Sequence, residues 1–280
     1  MATEIQTARA GGEKLTLKMV ATDPRIDLLL REYPGHPYKK WQGAHWRLIS
    51  LVELGVASAD PRTFRAVDQV LSWLLNPRRR PPEVAGRYRQ CASKDGNALL
   101  VCCRLGMQAD HRVDALAARL VAWQWPDGGW NCDARPDVTH SSFHESVAPL
   151  RGLAAHRGFP QAVVRAADFF LRHRMCRSES TGTVINAEWL DLHWPAYWHY
   201  DNLQGLRAIT EAGLIGDERA SDALDHLQAQ HGPDGKWRAG GRRYWRLNGD
   251  SNVEVVDWGD AADVLTDQSN QVLRAATRYS

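Results

Sequence analysis

The chain has 280 residues and a net charge of +2, with 24% charged and 44% hydrophobic residues. That length is ample for a sizeable core, and the near-neutral balance gives no ground for a nucleic-acid partner. No stretch approaches the ~20 consecutive apolar residues of a membrane span, so no integral membrane segment is expected.

Residues 1–23 have no apolar run of the signal-peptide kind and are expected as a flexible leader, with a single domain over 24–280. Five cysteines, an odd count without framework spacing, suit a reducing, cytoplasmic setting. "GAHWRLISLVELG" reads as an apolar helix stopping at Gly55. "DPRTFRAVDQVLSWLL" follows as an amphipathic helix, with Asp60 as its cap and Pro61 in the first turn. The basic run Arg78–Arg80, with Arg87 and Arg89 beyond it, lies among prolines and reads as a solvated loop, with an anion site as the alternative.

"DGNALLVCCRLG" is the next apolar helix; it stops at Gly106 and carries Cys102 and Cys103 as core residues. Three further apolar helices are predicted over "SSFHESVAPLRGLAAH", "YWHYDNLQGLRAITEAG" and "TDQSNQVLRAATRY". Amphipathic ones alternate with them at "DHRVDALAARLVAWQW", "PQAVVRAADFFLRHRM" and "DERASDALDHLQAQ". Alternation of the strand kind is scarce, with "SNVEVVDW" its best case.

The pattern repeats. "PDGGW" ending at Trp130 recurs as "PDGKW" ending at Trp237, 107 residues later, the spacing that also separates Gly106 from Gly213. Gly55 and Gly106 are 51 apart, so the unit is about fifty residues, a pair of helices. Apolar and amphipathic helices in alternation predict an all-α fold: a ring of about five helical hairpins, the apolar helices lining a central cavity. An open solenoid of the tetratricopeptide kind, with its ~34-residue period, fits less well. Twelve tryptophans supply large flat faces for packing or for lining a pocket.

"QWPDGGW", with Gln124, Gly128 and Trp130, resembles the QW motif of squalene cyclases and the related glycine–tryptophan turn of protein prenyltransferase beta subunits. "QHGPDGKW" is a looser copy with one extra residue. The resemblance runs over roughly residues 40–280 and implies an α/α toroid whose cavity holds an isoprenoid chain. It also shows departures. There is no D-x-D-D acid motif, since Asp257, Asp260 and Asp263 have another spacing, and there is no second toroid. The zinc triad of protein farnesyltransferase (aspartate, cysteine, histidine) maps onto Val138, His140 and a position near His199, so it does not carry over complete.

Polar residues are expected at one end of the apolar helices. His144 lies 14 residues before Gly158 and His199 14 before Gly213, with Glu145 and Asp201 close behind. His45 opens an earlier helix, and Asp95 and Asn97 another. In one reading His144, His199 or His45 works in acid–base catalysis, Glu145 or Asp201 setting the imidazole tautomer. The substrate then meets Trp46, Asp95, Asn97, Trp194, Trp198 and Tyr200, and Arg242 and Arg243 meet a diphosphate at the rim. In a second, His140, His144, His199 and Cys132 surround zinc. In a third these groups only cap helices and satisfy carbonyls. The expected partner is a small-molecule substrate; cofactor identity stays open, with zinc as the candidate, and oligomeric state is not fixed. Serine-hydrolase, dinucleotide and P-loop motifs are absent. The expected function is a terpenoid-cyclase- or prenyltransferase-like enzyme acting on a hydrophobic or partly hydrophobic small molecule. Its alternatives are a non-catalytic binding or scaffold toroid and a zinc enzyme with a non-isoprenoid substrate.

Overall fold

A computed structural model describes residues 23–56, 60–77, 81–240 and 254–278. Most of the expected leader, the Arg78–Arg80 run and the proposed anion-binding Arg242 and Arg243 lie outside the described residues.

The described chain is all-α in class. Its ten α-helices are α1 (Pro24–Leu30), α2 (Ala44–Glu53), α3 (Pro61–Leu74), α4 (Ala92–Arg104), α5 (His111–Trp123), α6 (Phe143–His156), α7 (Pro160–Arg172), α8 (Asn202–Glu211), α9 (Ser221–Ala229) and α10 (Ala262–Ala276). The paired strands are β1 (Glu83–Val84) and β2 (Arg87–Tyr88), turned by Ala85 and Gly86 at positive φ, so Arg87 belongs to a hairpin. The alternating residues from Glu254 onward form no strand. No helix among the described residues is long and apolar enough to cross a membrane.

The starts and stops follow the chemistry expected of them. Asp60 and Asp110 accept hydrogen bonds from the Arg62 and Arg112 amides, closing the open N–H ends of α3 and α5. Asp23 does the same for α1, accepting from the Arg25 amide. Gly55, Gly106 and Gly213 all take positive φ, and Val56, Met107 and Leu214 donate back to Leu51, Cys102 and Ile209 at 3.1, 2.9 and 2.9 Å. That is one Schellman stop used three times. The stop after α6 falls on Arg157 (φ 65°), one residue before Gly158, which shifts the register inferred for His144 by one.

Eleven of thirteen residues of α4 are buried, against five of fourteen in α3 and five of thirteen in α5. The even helices α2, α4, α6, α8 and α10 pack each on the next in that order. Each of α3, α5, α7 and α9 packs on the even helix before it and the one after it. At the other end of the chain, Arg25 on α1 meets Asp263 on α10 at 2.6 Å.

The even helices also share a buried ionic cluster at their C-terminal ends. Arg151 (α6) pairs with Glu53 (α2) and Glu211 (α8), each at 2.8 Å. Arg207 (α8) meets Glu53 at 2.5 Å, Gln268 (α10) donates to Glu53 at 3.0 Å, and Arg104 (α4) reaches Glu211 at 3.2 Å. Burial would raise the Glu53 carboxyl, but Arg151 and Arg207 hold it down at about 2.

The tryptophans of the repeated turn are structural. The indole N–H of Trp130 donates to Leu120 O at 2.8 Å and that of Trp237 to Leu227 O at 2.7 Å. Each ring thus caps a loose carbonyl of the preceding odd helix. Gln124 adds bonds to Gly128 O and Ala162 O, tying the turn to α7.

Candidate functional site

The closest helix pair is α4 with α6. A Cβ on Gly96 would lie 2.3 Å from Pro149 N, and one on Gly152 would lie 2.6 Å from Gly96 O. Backbone contact this tight brings together the N-terminal ends of both helices and the loop that follows Trp130. Three side chains converge there: Cys91 before α4, Cys132 in the loop and Glu145 in the first turn of α6. One ligand atom from each lies within 4.8 Å of the other two.

Each partner is held. Ser93 N donates to Glu145 Oε2 at 2.9 Å, leaving Oε1 toward Cys132 Sγ at 3.5 Å. The Cys132 loop is pinned by buried Arg89, which donates to Asp133 O at 3.1 Å and Val138 O at 2.9 Å and lies 4.5 Å over the Trp125 ring. Asn131 donates to His140 O and accepts from Asp133 N, each at 2.9 Å. Cys91 stands at the N-cap of α4, and its side chain makes no capping bond there.

Burial pushes the Glu145 carboxyl up. A hydrogen bond from Cys132 draws the Cys91 thiol down to about 7 and keeps Cys132 itself well above its usual value. Lys94 is beside Cys91 and 5.5 Å over the Tyr38 ring.

An aromatic wall continues from this cluster. Tyr38 packs on Trp46 at 4.6 Å, Trp46 on Trp41 at 4.9 Å, and Trp41 stacks on Tyr197 at 4.7 Å and 7°. Lys40 lies over Trp41 and Trp198, and Trp198 stacks on His199 at 4.0 Å.

The sequence-predicted residues divide into two groups. Glu145 and Cys132 lie in the cluster, and Trp198, His199 and Trp46 lie along the wall. Most of the other described ones sit in bonds and core contacts that hold the fold, while Arg242 and Arg243 lie outside the described residues. Tyr200 N donates to His144 Nδ1 at 2.9 Å, so this backbone amide, not Glu145, orients the imidazole. Burial lowers the His144 pKa, against a hydrogen bond to the Trp198 backbone. A neutral ring bonded in this way clamps residues 198–200 and has no free lone pair for a base. Asp201 caps α8 through Gln204 N and accepts from His193 N, both at 2.9 Å, so its carboxylate holds the start of the helix and the His193 backbone. Asp95 pairs with Arg119 at 2.7 Å, and Asn97 donates to Tyr197 O at 3.0 Å. Tyr200 donates to Met175 O, Trp194 is core, and His45 is fully buried, its pKa lowered to about 3 by burial. His140 is exposed and Val138 is core, so the farnesyltransferase-like zinc positions do not converge. Neither do any three of His140, His144, His199 and Cys132.

Sequence reasoning missed Cys91, Lys94, Tyr38 and Glu254, and it placed Arg89 in a solvated loop, whereas Arg89 is buried. The signal available for Cys91 was its place just ahead of an apolar helix that carries Asp95 and Asn97. Where a central chamber was expected, the described residues leave little space. Residues Trp194–His199 fold inward between α2, α4, α6 and α8, and the space left beside them is about 20 Å3, room for one water. A wider cleft of about 230 Å3 lies instead between α1, α2 and α3, lined by Leu30, Tyr33, Arg47, Leu51 and Arg62 among others.

Comparison with protein-family models and with curated proteins finds no match to the chain.

Proposed function

We propose that the chain is a terpenoid-cyclase- or prenyltransferase-like enzyme, built as a single α/α toroid of five hairpins (α1–α2, α3–α4, α5–α6, α7–α8 and α9–α10). The order of helix contacts and the ionic cluster shared by all five even helices support the closed ring. The substrate is a hydrophobic or partly hydrophobic small molecule. Its apolar part lies on the Tyr38–Trp41–Trp198 wall, and its reacting group meets Cys91, Cys132 and Glu145 for acid–base or cation-stabilising chemistry.

The observation that carries this reading is the convergence of two thiols, a buried carboxyl and Lys94 beside a packed aromatic cluster, partly exposed at Tyr38 and Trp198, at one end of the even helices. Such groups are costly to bury and serve chemistry better than packing. A second reading, a non-catalytic binding protein, is favoured by the filled interior.

Purified chain incubated with farnesyl diphosphate, geranylgeranyl diphosphate and squalene is expected to convert at least one, followed by mass spectrometry. Glu145→Gln is expected to lose about 100-fold or more in rate while melting within a few degrees of wild type. Binding without conversion supports the second reading; neither binding nor conversion overturns both.

A further inference from the structure

From the ligand geometry we infer that Cys91, Cys132 and Glu145 form a zinc site with three protein ligands and an open fourth position. This rests on the function proposed above only for what the metal would do, since the donor set stands by itself. It is also not the site that the family resemblance implies, because His140 and Val138 take no part in it.

Spacing supports it first. Zinc binds thiolate at about 2.3 Å and carboxylate at about 2.0–2.2 Å, so tetrahedral ligands stand roughly 3.4–3.8 Å apart. Cys132 Sγ and Glu145 Oε1 are 3.5 Å apart already, and Cys91 Sγ lies within 4.8 Å of Cys132 Sγ and of a Glu145 carboxylate oxygen. The second support is orientation. One carboxylate oxygen is fixed by the Ser93 amide and the other faces the sulfurs, the arrangement of a monodentate ligand with its outer partner in place. Third, the three donors come from separate segments whose relation is set by rigid contacts: Gly96 against Pro149, and Arg89 across the Cys132 loop. The donors are pre-positioned, and only small closure is needed.

Chemistry selects the metal. Two soft sulfurs suit zinc over magnesium or calcium, and zinc imposes no geometry from its d electrons. Three ligands with one position open is the pattern of zinc sites that bind water or substrate, whereas structural sites are closed by four protein ligands. With zinc bound, Glu145 acts as a ligand, and the reacting group meets the metal's fourth position beside Lys94 and Tyr38.

Metal content of the full-length chain, purified without chelator under reducing conditions, is expected at about one zinc per chain by plasma mass spectrometry. Cys91→Ser, Cys132→Ser and Glu145→Gln are each expected to fall at least tenfold, whereas Cys103→Ala, away from the cluster, retains the zinc. Cobalt exchanged into the wild-type chain is expected to give thiolate charge-transfer absorption that Cys132→Ser lacks. Circular dichroism checks that each variant is folded; if a cysteine variant is not, Glu145→Gln and the cobalt spectrum decide. Wild-type zinc below about 0.1 per chain after equilibration with excess zinc overturns the site, as does a Cys91–Cys132 disulfide under the same reducing conditions. Conversion of substrate by metal-free protein overturns the metal's role and leaves the proposed function standing. One zinc per chain with no conversion does the reverse.

Discussion

Glu254 illustrates how far burial alone can move a single group. Its carboxyl accepts the Tyr197 hydroxyl at 2.9 Å, and burial pushes its pKa from 4.5 up to about 8. In the unfolded chain it ionises at the ordinary value, so the folded state binds the extra proton between those two limits. The associated stability is complete below pH ~4.5 and is lost as the pH rises toward 8. Glu254→Gln keeps an acceptor for Tyr197 and removes the titration. The variant's melting temperature is therefore expected to gain on wild type steadily between pH 5 and 9, by the equivalent of on the order of 2 kcal/mol or more. Parallel melting curves across that range would contradict a buried, protonated Glu254. His45 has the opposite sign, since its pKa is lowered to about 3 and its stabilising contribution goes as pH falls below the ordinary histidine value. At the candidate site, residue identity was only partly readable from sequence. Glu145 was singled out because it opens an apolar helix, but its partners Cys91 and Cys132 lie on other segments. Their meeting depends on a packing distance, which no local pattern encodes.

At the scale of elements, the helices were legible because their boundaries are set by local chemistry. Asp caps, Pro in the first turn and Gly in the left-handed stop are all written within a few residues of the place they act. The one misplaced stop, Arg157 for Gly158, arises because a non-glycine residue takes the left-handed position there. Less legible was how close two helices come. Gly96 faces the backbone of α6 so closely that an added methyl meets Pro149 N at 2.3 Å and Ala148 C at 2.4 Å. In an open helix Gly→Ala would gain up to about 1 kcal/mol in backbone entropy. Here the neighbour is backbone and cannot rotate away, so overpacking decides the sign. Gly96→Ala is expected to destabilise the chain by about 2–3 kcal/mol in denaturant unfolding. Because the same contact sets the distance from Cys91 to Glu145, the variant is also expected to bind zinc more weakly. Stability equal to or above wild type would show that α4 and α6 are not in such contact.

For the whole molecule, the two ends of the even helices have different characters. The C-terminal end is closed by Glu53, Arg151, Arg207 and Glu211, paired so completely that removing one partner would leave a buried charge uncompensated. The N-terminal end carries half-exposed thiols, a buried carboxyl and aromatic faces with cations over them. Sequence periodicity indicated the alternation of buried and half-buried helices, and with it the side of the molecule where polar groups would gather. It did not reveal that Trp194–His199 turns inward, because the segment's aromatic residues serve equally well as the lining of a chamber or as its filling. The claim that most needs testing is that substrate meets the rim and not the interior. A crystal structure of the chain with farnesyl diphosphate tests it directly. Density is expected against Trp41 and Trp198, with the diphosphate toward Lys40 and Lys94 and the first carbons near Cys91, Cys132 and Glu145. Density confined to the cleft between α1, α2 and α3, or a crystal grown at saturating ligand with none at the rim, would contradict it.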